Sequence, residues 1–238
     1  MAQECGEFKM KIWIVGGMLF LLAQNVMAAE TAKVHYPEIE RVEDAIKIIK
    51  TFTTIPETGI PPTLLRNACG IAIFPDAFRV GFILGGNYGR GVLSIRNRRN
   101  QWTNPVFITM AGGSIGWQIG AQSADIILVF KTRKSIDEIT AGKYTLGADA
   151  SVAIGPVGRQ AAADTDTRFQ AEIYSYSRTR GLFAGVSIQG AAIDIDYDAI
   201  VGFYHNSKIG ARYIFNTPNI TAPPVAAEFR KTLSDQTQ

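Results

Sequence analysis

The chain has 238 residues, 47% of them hydrophobic and 19% charged, with 24 basic against 21 acidic side chains and a formal net charge of +3. That content supports one buried core, and the length fits one domain better than two. A charge so near balance argues against nucleic acid as a partner, which calls for a concentrated basic surface, and leaves only a weak preference for anionic surfaces.

At the amino terminus Lys9 and Lys11 precede an apolar run from Ile12 to Ala23, followed by Val26-Met27-Ala28 with small residues where a signal peptidase reads them. The run is well short of the roughly 20 residues that a membrane-spanning helix needs. Residues 1–28 therefore read as a secretory signal peptide, 29–37 as a short segment, and 38–234 as a single domain. The expectation is an exported, periplasmic protein, peripheral to a membrane. With no cysteine at the cleavage point, no covalent lipid anchor is expected. Cys5 falls in the leader, so Cys69 stands alone in the mature chain, without an intramolecular disulfide. Its place just before Gly70-Ile71-Ala72-Ile73-Phe74 suits a buried, inert thiol.

From Glu38 to Ile55 the apolar residues Ile39, Val42, Ile46 and Ile49 recur at helical spacing, with Glu40, Arg41, Glu43, Asp44, Lys47 and Lys50 off the stripe. This predicts an amphipathic helix. Pro62 is placed to start a short second helix through Leu64 and Leu65. Beyond Gly70, short apolar or alternating segments separated by glycine predict strands and tight turns. Gly85 to Gly91 reads as a glycine-rich β-turn. Ile115, Trp117, Ile119 and Ala121 are predicted to share one strand face, and Ile193, Ile195 and Tyr197 another, opposite a wet face of Asp194, Asp196 and Asp198. The continuous run Ile126 to Phe130 suits a central strand covered on both sides. Ser135 to Ala141 reads as a helix with Ser135 and Glu138 at capping-box spacing and Gly142 as its stop. Pro223-Pro224 introduces a closing helix over Val225 to Leu233. The predicted fold is α+β: N-terminal helices, a curled antiparallel β core resembling a small barrel or sandwich, and a short C-terminal helix. The many glycines within strands predict curvature and bulges.

No catalytic signature stands out, and the domain is read as non-enzymatic. The only histidines are His35 and His205, and no Gly-x-Ser-x-Gly elbow is present. Gly85 to Gly91 matches neither the dinucleotide fingerprint nor the phosphate loop of nucleotide hydrolases. Asp194, Asp196 and Asp198 open like a calcium loop, but Ala199 stands where glycine is required and His205 where glutamate is. Neither a cofactor nor a metal is expected.

Several phrases occur in a telling order: LLRNACGIAIFP within residues 62–75, GFILGGNYGRG at 81–91, WTNPVF at 102–107, GGSIGWQIG at 112–120, LGADASVAIGPVGR at 146–159 and YSYSRTRGLFAGVSIQG at 174–190. Together they resemble the SYLF domain family across most of residues 38–205. The resemblance implies a phospholipid- or phosphoinositide-binding module and, in eukaryotic members, binding of actin. An actin-type partner is implied here by that resemblance alone.

Two routes to an anionic lipid surface suit the residues. The first is the Glu38–Ile55 helix, with its stripe on acyl chains and Lys47 and Lys50 at phosphate; packing of that stripe on the β core is the competing reading. The second is the turn containing Arg96, Arg98, Arg99 and Trp102, where guanidinium groups would grip phosphate and tryptophan would enter the headgroup region; a solvated hairpin tip is its competitor. Arg159, Arg178 and Arg180 stand as a second phosphate pocket or as strand-end ion pairs. The functional expectation is a non-catalytic phospholipid-binding module of the cell envelope. The alternatives are an outer-membrane β-barrel and a lipid hydrolase with His205 as base.

Overall fold

In a computed structural model of the chain, the residues described are 38–54, 59–81, 84–115, 120–142, 144–155, 170–179, 182–184 and 188–238. The predicted leader and residues 29–37 lie outside them. The alternating and continuous apolar segments beyond Gly70 form β1 (Gly70–Gly81), β2 (Leu84–Ile95), β3 (Val106–Ile115), β4 (Gly120–Phe130), β5 (Tyr144–Thr145), β6 (Val152–Ile154), β7 (Ile173–Thr179), β8 (Leu182–Ala184) and β9 (Ala192–Ile195). They make one curled sheet in the order β5-β9-β3-β2-β1-β4-β7-β6, with β8 also on β7. Pairing is antiparallel except between β6 and β7, which run parallel. The α+β prediction therefore holds, with a mixed rather than wholly antiparallel sheet.

β1 lies at the centre between β2 and β4, with Ile71 opposite Ser94 on one side and Val129 on the other. Ile71, Ala72, Ile73 and Phe74 are all fully buried, as are Ile127 to Phe130 on β4. Both faces of the sheet centre are thus covered, as the continuous run Ile126 to Phe130 predicted. Burying an Ile or Phe side chain stabilises by about 1.5–3 kcal/mol, so this stretch anchors the core.

Gly85 to Gly91 is not a turn but part of β2. The register between β1 and β2 shifts between Ile73 and Phe78, and Phe74 lies against Gly89 and Gly91 of β2. A Cβ at Gly91 would stand 2.5 Å from the Ile73 carbonyl oxygen and 2.6 Å from Phe74 Cδ1. The glycine there permits close strand approach at a bulge. Likewise Ile115 closes β3 and residue 120 opens β4, so Ile115 and Ala121 belong to different strands; residues 116–119 lie outside the described set.

The helices are α1 (Glu38–Thr54), α2 (Pro62–Arg66), α3 (Arg133–Ala141), α4 (Tyr197–Tyr204), α5 (Ala211–Asn216) and α6 (Pro224–Gln236). α1 packs on β1, β2, α4 and α6. Its stripe Val42, Ala45, Ile49 and Phe52 is fully buried, while Ile39 at its start is 47% exposed. Pro62 starts α2, as its fixed φ allows. α3 ends at Gly142 with φ 134°, but the Ser135 hydroxyl donates to Glu172 at 3.0 Å instead of closing a capping box. α4 replaces the predicted continuation of β9, and α5 was not predicted. None of the described helices is long and apolar enough to cross a membrane.

Candidate functional site

The turn between β2 and β3 is built by asparagines. Asn97 Oδ1 accepts from Arg99 N at 2.8 Å and Gln101 N at 3.0 Å, and Asn100 adopts φ 59°, a left-handed conformation that asparagine tolerates. At its base Arg96 pairs with Trp102 in an isolated bridge, and the Arg96 guanidinium lies 4.7 Å from the Trp102 ring centroid.

The sequence placed Arg96, Arg98, Arg99 and Trp102 together as one membrane-facing set; the structure divides them. Trp102 is 3% exposed and its Nε1 donates to Thr237 Oγ1 at 3.0 Å, so its ring is a packing anchor rather than a headgroup probe. Arg96 donates to Asn100 O and Oδ1 and to Thr237 O and Oγ1, tying the turn to the end of α6. Burial lowers its guanidinium pKa from the ordinary value. Arg98 and Arg99 stay exposed at the tip, without an ion-pair partner among the described residues.

Arg98 and Arg99 open onto a groove of about 1300 Å³ between the turn, α3, α5 and α6. Arg133, Arg230 and Lys231 also line it, against the single carboxylate of Asp137. Arg133 Nη2 donates to Arg96 O at 2.7 Å, and Lys231 pairs with Asp235 at 2.6 Å. The cations that the sequence reading missed come from α3 and α6, far from the turn in the chain. Among the described residues, no group of three or more His, Cys, Asp or Glu side chains is arranged to hold a metal ion.

The other candidates separate. Lys47 is held by Asp44 at 2.8 Å and Lys50 lies 4.0 Å from Glu228, on a helix whose apolar stripe is in the core; in this state the Glu38–Ile55 helix has no stripe to offer acyl chains. Arg178 pairs with Asp125 at 2.7 Å between β7 and β4, a strand-end ion pair. Arg159 and Arg180 lie outside the described residues. His205 is exposed at the end of α4 with φ 51°, and Cys69 Sγ donates to Lys131 O at 3.0 Å.

Asp196 corrects the reading of a wet aspartate face. It is 9% exposed, caps α4 by accepting from Ala199 N at 3.1 Å, and its Oδ2 accepts from Arg90 Nη2 at 3.0 Å and Arg41 Nη1 at 3.4 Å. Tyr197, expected beside Ile193 and Ile195 on a buried face, is 59% exposed because the chain turns into a helix there.

Comparison with known proteins places this geometry. Residues 111–236, over half of the chain, match the Ysc84 family, described as Las17-binding protein actin regulator, and the chain belongs to this family. It is 32% identical over 200 residues, 82% of its length, to SH3 domain-containing YSC84-like protein 1 of Xenopus laevis, covering 59% of that protein. It is 32% identical over 180 residues to Protein YSC84 of Saccharomyces cerevisiae, 74% of this chain and 38% of the relative. With LAS seventeen-binding protein 3 of the same yeast it shares 36% identity over 148 residues, 61% of this chain and 32% of the relative. The chain thus spans between about a third and three fifths of the length of these relatives.

Proposed function

We propose that this domain is a non-catalytic module that docks peripherally on anionic phospholipid surfaces, on the outer side of the membrane across which it is exported, in the periplasm. The observation that carries the reading is the groove beside the β2–β3 turn, lined by Arg98, Arg99, Arg133, Arg230 and Lys231 with one carboxylate, Asp137, Lys231 being paired with Asp235 outside the lining. Guanidinium groups suit phosphate oxygens through paired hydrogen bonds. The tip that presents Arg98 and Arg99 is held in shape by the Asn97 side chain and by Arg96, so little ordering is required on binding.

Sedimentation with vesicles tests this. The purified chain should pellet with anionic but not neutral phospholipid, less so as salt rises. Each basic side chain near such a surface contributes about 1 kcal/mol, so replacing Arg98 and Arg99 by alanine should weaken binding roughly 30-fold. Absence of binding to any composition would remove the lipid reading. A protein partner would then be the better use of the domain, supported by the family's description as an actin regulator.

A further inference from the structure

One side of α4 is already covered, since Ala199, Ile200, Phe203 and Tyr204 are buried. The other side consists of Tyr197, Asp198, Val201 and Gly202, all exposed. The helix is therefore apolar nearly all round, with Asp198 as its single charge. A helix of that composition is characteristically covered on both sides.

The exposed apolar surface runs on into α5. The Tyr197 ring reaches Gly210, the N-cap of α5, where a Cβ would stand 3.9 Å from Tyr197 Cε1. Three residues further on, and so on the same side of α5, is Tyr213. Tyr197 and Tyr213 are 59% and 52% exposed. An apolar side chain alone on a surface is ordinary, but two tyrosines and a valine on neighbouring helices make a patch that calls for a partner. Tyrosine is among the residues that carry most binding energy at protein interfaces.

The charges beside the patch say which partner. Asp198 on α4 and Arg212 on α5 are exposed, and neither has an ion-pair partner among the described residues. An anionic membrane would attract Arg212 and repel Asp198. A surface that carries an unpaired charge of each sign is complementary to itself once it is turned about a two-fold axis. The patch is also distinct from the groove: Ile214, Phe215 and Asn216 of α5 line the groove, and Arg212 and Tyr213 do not.

We propose that this face of α4 and α5 is where a second copy of the chain docks. The two copies are related by a two-fold axis, with Asp198 of each against Arg212 of the other and the tyrosines and Val201 between them. Two short helices make a small interface, so the dimer is weak and reversible, and its population depends on concentration. The inference stands independently of the reading of the groove as a lipid face.

Sedimentation equilibrium of the purified chain, from low micromolar to near-millimolar concentration, tests this. A monomer–dimer equilibrium is expected. Tyr197→Glu should weaken it by about 30-fold or more, the effect of losing one central aromatic anchor; an acidic residue in the first turn of α4 is compatible with the helix. Asp198→Arg and Arg212→Asp should each leave monomers, because like charges then meet at both ends of the interface. Mixing these two variants should restore a dimer holding one of each, an outcome that general damage to the fold would not produce. A chain that stays monomeric at every concentration would overturn the proposal. So would a dimer indifferent to Tyr197→Glu, or charge-reversed variants that fail to pair on mixing. If Tyr197→Glu instead abolishes sedimentation with vesicles of a chain that is monomeric throughout, the patch belongs to the membrane and not to a second copy.

Discussion

Removing the charge of Asp196 tests how the helical layer is fastened to the sheet. Asp196 Oδ2 accepts from Arg41 Nη1 on α1 and from Arg90 Nε and Nη2 on β2, at 3.4, 3.3 and 3.0 Å. Arg41 is 2% exposed, lies 5.2 Å from the Phe107 ring centroid, and has no partner for Nε or Nη2. Burial first, and the Arg90 charge second, lower its guanidinium pKa. An Asp196→Asn substitution keeps an oxygen to cap α4 but strands two guanidinium groups beside each other. Losing one partner of a buried pair costs about 3–5 kcal/mol, much of it from the uncompensated charge left behind. Against a typical domain stability of about 5–15 kcal/mol that is a large fraction. Asp196→Ala should cost about 1 kcal/mol more, through the lost cap. Urea unfolding followed by far-ultraviolet circular dichroism measures both. In the double variant Arg41→Met with Asp196→Asn, stability should largely return, because the stranded buried cation is gone. A loss below about 1 kcal/mol for Asp196→Asn, or no recovery in the double variant, would refute the argument from buried charge.

Two further outcomes follow from packing and titration. Gly91→Ala should destabilise severely, by about 3 kcal/mol or more, since its Cβ would meet the Ile73 carbonyl oxygen at 2.5 Å and main chain cannot step aside cheaply; a midpoint unchanged in thermal unfolding would contradict this. Burial pushes the Tyr144 hydroxyl up to about 12, and those of Tyr174, Tyr176 and Tyr204 also upward. The folded state then holds protons that the unfolded chain releases near pH 10, so stability is intact below about pH 10 and falls above it. Each such tyrosine contributes a slope of up to about 1.4 kcal/mol per pH unit across its window. In a variant whose other tyrosines are phenylalanine, phenolate absorbance rising together with loss of structure would agree; phenolate appearing at about pH 10 while the protein is still folded would not.

Where one side of an element is apolar, the sequence reading came close. The stripe Val42, Ile46 and Ile49 marked α1, and Ile126 to Phe130 marked a strand with neighbours on both sides, because burial leaves a period in the chain. The reading failed where one local pattern changes into another. Ile193 and Ile195 alternate as a strand, and the alternation of Asp194, Asp196 and Asp198 carries on past its end. Asp196 is the cap at which α4 begins, and the apolar spacing of Ile200, Phe203 and Tyr204 was the available helical signal. Gly89 and Gly91 of β2 looked like part of a turn because their purpose, room for Phe74 of the neighbouring strand, depends on a residue distant in the chain. The groove was half legible. Arg98 and Arg99 stood out beside Trp102, but Arg133, Arg230, Lys231 and Asn104 join them only through tertiary packing, and Trp102 was drawn inward by Thr237, a partner no local pattern announces.

The pairing of α1 with α6 has a consequence for the order in which the protein comes into being. Thr53 and Gln236, 183 residues apart, are joined by a hydrogen bond, so the first described helix meets its last neighbour only after nearly the whole domain has been made. Until then the apolar side of α1 has β1 and β2 to lie on but no cover from α6. Closures across so long a stretch of chain come late and slowly. During synthesis this helix is a surface in need of protection from premature association.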